Sequence, residues 1–100
     1  MGAEVLSTNT STDKGTRKNS VPGIVLNAGG VAGDAHAGPG LRQVSILSRE
    51  IIENFARDAG KTLAWGDFAE NITTTGLDLA GLAISDRLRI GDAEMEVTQV

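Results

Sequence analysis

The sequence predicts a mainly β domain with one principal α-helix near residues 48–59. Three observations predict it. The last segment alternates apolar and charged residues on either side of a Gly-Asp turn. A single stretch repeats its apolar residues at helical spacing. Glycine makes up 13 of the 100 residues, as a chain of short strands and tight turns requires.

Taken in order, residues 4–7 form a short apolar run that reads as a first strand, and residues 8–20 read as a polar loop. Pro22 and Gly23 interrupt the next stretch, so only Ile24, Val25 and Leu26 are strand-like, near a sheet edge. Residues 27–40 hold five glycines and one proline, which predicts a shaped loop rather than a regular element. Residues 43–47 are a strand candidate. Ser48 is placed to cap a helix whose Ile51, Ile52, Phe55, Ala56 and Ala59 fall on one side. Glu50 and Glu53 sit near its N-terminus, and Gly60 stops it. Residues 72–75 are β-branched throughout and favour a strand. With Gly91 and Asp92 as a two-residue loop, Ile90 faces Ala93, Arg89 faces Glu94, Leu88 faces Met95 and Arg87 faces Glu96. One face of that hairpin is apolar and expected to be buried; the other carries two opposite-charge pairs.

Composition narrows the function. Residues 1–100 suit a single domain, and 40% hydrophobic with 22% charged residues is a globular balance. With aromatics at only 3%, the core is expected to be Val, Ile, Leu and Ala. No apolar run approaches the roughly 20 residues of a membrane span. Met1-Gly2 opens like a myristoylation site, but Leu6 stands where Ser or Thr belongs. A cytoplasmic protein with no membrane partner is expected. A net charge of −4 opposes binding to nucleic acid. There is no cysteine, which excludes disulfides, thiolate metal ligands and cysteine nucleophiles within these residues. With His36 as the lone histidine, a structural zinc site is excluded too.

Three stretches are candidates for chemistry. Residues 7–18 are rich in hydroxyls and end in Lys14, Arg17 and Lys18, a combination suited to phosphate or another oxyanion; a solvated charged loop is the alternative. In Gly33-Asp34-Ala35-His36-Ala37-Gly38, Asp34 can orient the His36 ring or share a ligand with it, or else simply cap its own turn. In Gly66-Asp67-Phe68-Ala69-Glu70-Asn71, the Glu-Asn pair can hydrogen-bond a heterocycle edge or satisfy loop backbone. Trp65, just before it, reads as a core or rim packing residue.

Together with Lys14-Gly15-Thr16-Arg17-Lys18, Arg42-Gln43-Val44-Ser45-Ile46-Leu47, Gly76-Leu77 and Ile90-Gly91, these strings stand in the order found in the MOSC domain. The chain resembles that family, named after the C-terminal part of molybdenum cofactor sulfurase, over nearly its whole length. The resemblance implies a β-barrel of the kind also seen in a domain of pyruvate kinase. It implies molybdenum cofactor (molybdopterin) as the ligand, and a link to its sulfuration, to sulfur transfer or to reduction of N-hydroxylated compounds. On that basis Lys14, Arg17 and Lys18 would hold the cofactor phosphate, and Asp34, His36, Glu70 and Asn71 would line the pocket.

The chain departs from the family in three places. Trp65 replaces a common proline, and Ala69 replaces a glycine. The family cysteine is expected shortly after the strand that residues 98–100 resemble, so the chain is expected to lack a C-terminal part of the domain. Whether it is an enzyme therefore stays open: the alternative is a non-catalytic module for a phosphorylated ligand or a partner protein. A barrel short of strands would expose a C-terminal edge, through which a homodimer is expected.

Overall fold

A computed structural model describes residues 4–12, 17–27, 29–35, 37–38, 43–77, 79–91 and 93–98. Lys14 and His36 lie outside the described residues. The architecture is mainly β with one helix. Strand β1 (Glu4–Thr10) is followed by β2 (Asn19–Val21), then by the two-residue strands β3 (Leu26–Asn27) and β4 (Gly30–Val31). Next come β5 (Ile46–Ser48), α1 (Arg49–Ala59) and β6 (Ile72–Thr75). A short 3-10 turn at Leu79–Gly81 leads into β7 (Arg87–Ile90) and β8 (Ala93–Glu96).

One four-stranded mixed sheet organises the molecule, in the order β2-β1-β6-β5. Strand β1 runs antiparallel to both β2 and β6, with a register shift between Val5 and Ser7, and β5 runs parallel to β6. The parallel pair is possible because α1 provides the crossover between β5 and β6. Strands β3–β4 and β7–β8 form two separate two-stranded sheets. The described strands do not close into the expected barrel.

The sequence placed α1 well. The Ser48 hydroxyl accepts from the Ile51 amide at 3.2 Å, and Gly60 ends the helix in the left-handed conformation (φ 65°), its neighbour Lys61 donating back to the Ala56 carbonyl. Glu50 ties the helix to the end of β6, accepting from the Thr75 hydroxyl and the Gly76 amide. Those bonds hold its carboxyl below the usual carboxylate range. The buried face of α1 is narrower than its apolar stripe, however. Ile52 is buried, while Ile51 and Phe55 are half exposed, and Phe55 meets Phe68 edge-on at 5.2 Å.

Other expectations are corrected. Residues 8–10 and 19–20 are not loop: Thr8 pairs with Val21 and Thr10 with Asn19, which lengthens β1 and creates β2. Residues 27–40 contain a small antiparallel pair, Leu26 opposite Val31 and Asn27 opposite Gly30. The interior is not a simple aliphatic core. Among the described residues Val31, Ile52 and Ile72 are buried, but so are Asn9, Lys18, Asp34, Ser48, Glu70, Asn71, Thr73 and Thr74. The hairpin register is as expected, although Leu88 and Met95 are half-buried rather than buried.

Candidate functional site

The polar interior is built around the junction of β1 and β6. Asn9 is fully buried on β1, and its amide nitrogen donates to the Glu70 carbonyl at 3.1 Å and to the Thr73 hydroxyl at 3.2 Å. Its side-chain oxygen accepts from the hydroxyls of Ser7 and Ser20. Asn71 mirrors it: Nδ2 donates to the Asn9 carbonyl at 3.2 Å, and Oδ1 accepts from the Ser45 amide at 3.1 Å. The two asparagines thereby join β1, β6 and the segment entering β5, with every side-chain donor and acceptor group in use, as burial demands.

Glu70 is buried as well, and it acts on its own loop. Its Oε2 accepts from the Gly66 amide at 3.0 Å and the Thr73 hydroxyl at 2.9 Å, and Oε1 accepts from the Phe68 amide at 3.2 Å. A carboxylate that gathers two backbone amides and a hydroxyl fixes the loop that carries them. Gly66 must be glycine there: φ is 93°, and a Cβ would run into the Lys18 carbonyl. This contact brings the 63–67 loop against the 17–20 segment, where the Lys18 amide also donates to the Gly66 carbonyl at 2.7 Å.

Between those segments lies a cleft of about 530 Å³, lined by Arg17, Lys18, Asn19, Ser20, Leu63, Ala64, Trp65 and Asp67. Arg17 and Lys18 both reach this wall, but in different states. The Lys18 ammonium lies 2.8 Å from Asp34 Oδ1, with both side chains fully buried. Asp34 Oδ1 also accepts from the Ser11 amide. Arg17 is 75% exposed, with its guanidinium 3.9 Å from Asp67 Oδ1. The opposite wall is a turn closed on itself, in which Asp67 Oδ2 accepts from the Ala64 amide at 2.9 Å and the Asp67 amide donates to the Ala64 carbonyl.

The residues singled out from sequence thus divide. Arg17 and Lys18 meet at the cleft, with Asp34 joined to Lys18. Glu70 and Asn71 are absent from the cleft lining and organise the scaffold that supports it. Sequence reasoning missed Asn9, which looked like one polar residue of a loop. It also gave Asp67 no role beyond its place in the motif and read Trp65 as packing. The only signals were the place of Asp67 inside the family string and that of Trp65 just before it.

Comparison with known proteins identifies the class. The MOSC domain family model matches residues 32–100, and the chain belongs to the MOSC domain family. The matched region includes Asp34, Trp65, Asp67, Glu70 and Asn71, and begins after the basic segment at residues 14–18. The crystal structure of the YuaD protein (APC1665) from Bacillus subtilis shares the fold, with a TM-score of 0.74 at 22% identity. The similarity covers 87% of this chain and 59% of that one, so the chain spans well under two thirds of the YuaD length. No curated protein matches it in sequence.

The MOSC family is associated with the molybdenum cofactor, and the residues fit that cofactor unevenly. Its organic, phosphorylated part suits a polar cleft with an exposed arginine and an aromatic wall. The metal does not suit these residues. Molybdenum in this family context calls for a soft sulfur donor, and the sequence contains no cysteine. Among the described residues, no three His, Cys, Asp or Glu side chains converge as a metal site. No helix of the described residues is long and apolar enough to cross a membrane.

Proposed function

We propose that this MOSC domain serves molybdenum-cofactor chemistry as a binding module, holding the phosphorylated pterin part of the cofactor in the cleft between residues 17–20 and 63–67. One observation carries the proposal: Arg17 presents an exposed guanidinium at the cleft, while the neighbouring Lys18 charge is matched internally by Asp34. Arg17 would hold the phosphate through its fork of N–H donors. By the family resemblance, Lys14 and His36 would also contribute to cofactor binding, although both lie outside the described residues. Asp34, Glu70 and Asn71 would act through the loops they hold.

The finer family activities, cofactor sulfuration, sulfur transfer and reduction of N-hydroxylated compounds, need a thiolate that these hundred residues do not contain. No such step is assigned to them, and a sulfur carrier would have to come from elsewhere. The same reading takes the four-stranded sheet as part of a larger β-barrel, consistent with a structural neighbour that extends well beyond the matched region. The absence of a thiolate from these residues favours a second reading, a non-catalytic module for another phosphorylated ligand or a partner protein.

Thermal unfolding tests the shared part. Phosphate should protect the protein more than chloride at equal ionic strength, and Arg17→Ala should remove the difference. Molybdopterin, followed by the fluorescence of its oxidised pterin, should co-elute with the wild type. Equal protection by both salts would sink the anion site. Phosphate protection without co-elution would leave only the second reading.

A further inference from the structure

We infer that the cleft reads the N–H edge of a planar heterocycle, with Asp67 as the specificity-determining acceptor and Trp65 as the stacking wall. The ligand class is a 2-aminopyrimidin-4-one ring carrying an anionic substituent, the chemistry shared by pterins and guanine. The assignment rests on the cleft being the ligand site.

Three features of the cleft lead there. First, Asp67 is a poor neighbour for an anion alone: a carboxylate at the wall repels phosphate and offsets part of the Arg17 attraction. A ligand that benefits from both residues carries donors and a negative charge together. Second, Arg17 and Asp67 are 3.9 Å apart, attracting each other without a hydrogen bond. Asp67 Oδ2 already accepts from the Ala64 amide, while Oδ1 faces Arg17. A carboxylate can accept further donors beside such bonds, and the adjacent ring N–H and exocyclic amine of a 2-aminopyrimidin-4-one form a matching pair. Third, the wall is preorganised. Gly66 and Phe68 are clamped by buried Glu70, and Gly66 is locked against Lys18, so Trp65 and Asp67 sit on a fixed turn rather than a loose loop. Heterocycle stacking on an aromatic face is sequence-tolerant, so Trp65 supplies affinity and Asp67 supplies the choice of ring.

Trp65 stands where the MOSC pattern commonly has proline, so this wall is a feature of this chain rather than of the family string. It is also the sole tryptophan and the chain has no tyrosine, so intrinsic fluorescence reports on the cleft directly.

The experiment titrates the full chain with 6-carboxypterin, with the matching 2,4-dioxo ring (6-carboxylumazine), with guanosine monophosphate and with inorganic phosphate, reading Trp65 emission. We expect saturable quenching by 6-carboxypterin, at least about tenfold tighter than by 6-carboxylumazine. Guanosine monophosphate decides the source: binding as tight as the pterin indicates a guanine nucleotide, and weaker binding indicates a pterin. Asp67→Asn keeps a carbonyl to cap the Ala64 amide but turns an NH2 toward the ligand edge, so it should erase the ring preference. Should that variant unfold, Arg17→Ala gives the complementary reading, with weaker binding of both carboxylated rings and the preference kept. Equal affinity for the two rings in the wild type, absence of quenching by either, or a preference unchanged in Asp67→Asn would overturn the inference. Phosphate protection without ring preference overturns it alone; ring preference without phosphate protection removes instead the phosphate-binding role proposed above.

Discussion

The Lys18–Asp34 pair and the Arg87–Glu94 pair have the same chemistry in opposite surroundings. The first is 2.8 Å long with both side chains fully buried, joining β2's approach to the turn after β4. The second is 2.6 Å long at the surface of the β7–β8 hairpin, with side chains 68% and 41% exposed. Water stabilises the second pair's charges whether or not they meet, so their meeting changes little. It cannot do so for the first, where each ion depends on its partner and on bonds such as the Ser11 amide to Asp34. A sequence gives both simply as Lys or Arg with Asp or Glu, and only burial separates a structural pair from a decorative one.

Breaking the buried pair should therefore have the largest effect. Lys18→Ala leaves Asp34 as an uncompensated buried charge and should cost about 3–5 kcal/mol in chemical denaturation. Replacing both partners, Lys18→Met with Asp34→Leu, should restore much of that loss, because the desolvation penalty disappears along with the attraction. A single variant as stable as wild type would show that the pair is not buried in solution. The double variant also tests the site. If the Lys18 charge serves the fold rather than the ligand, phosphate protection should survive in it.

The same contrast explains what was legible in the sequence. The hairpin was readable to the register, because its partners are a few residues apart and alternation fixes which face each side chain takes. Helix α1 was readable to its caps for the same local reason. The β1–β6 pairing was not, since Asn9 and Asn71 meet across 62 positions and nothing near Asn9 announces it. Polar residues 8–10 resembled a loop because strands are expected to be apolar, yet this sheet buries Asn9, Thr73 and Thr74. The family strings drew attention to the loops that carry Asp34, Glu70 and Asn71, all of which are buried. They could not say that Glu70 and Asn71 point into scaffold, because a conserved-looking string is equally compatible with a residue that holds a ligand and one that holds a loop.

Ala69 offers a smaller, independent probe of the loop that Glu70 organises. It adopts φ 62°, in the left-handed region where its Cβ crowds the backbone, at the position where the MOSC pattern has glycine. Ala69→Gly should relieve roughly 1–2 kcal/mol of that strain and return about 0.5–1 kcal/mol through the freer unfolded chain. The net stabilisation of about 0.5–1 kcal/mol should raise the melting midpoint by a few degrees. A lowered midpoint would show that the turn is not held in this conformation.

The smallest effect should come from the hairpin charges, and its pH dependence has a definite sign. Hydrogen bonds from Arg87 and Arg89 hold the Glu94 carboxyl below its ordinary range, while Glu94 pushes the Arg87 guanidinium up. In register Arg87 lies opposite Glu96, but its ion pair runs diagonally to Glu94, which also takes Arg89 at 3.5 Å. A depressed carboxyl stabilises the fold above its unfolded pKa, about 4.3, and that contribution fades as pH falls through the lower folded value. The raised arginine would lose its share only at strongly alkaline pH, as the pH rises through its folded pKa. Glu94→Gln should thus leave the melting midpoint at neutral pH nearly unchanged and flatten the acid limb only slightly, with any difference disappearing in high salt. Glu50, whose carboxyl is likewise lowered but by the Gly76 amide and Thr75 hydroxyl, provides the internal control. Its acid dependence should persist in high salt, because short hydrogen bonds are screened far less than the attraction between exposed charges. If Glu94→Gln costs as much as Lys18→Ala, exposure does not separate the two pairs and the comparison fails.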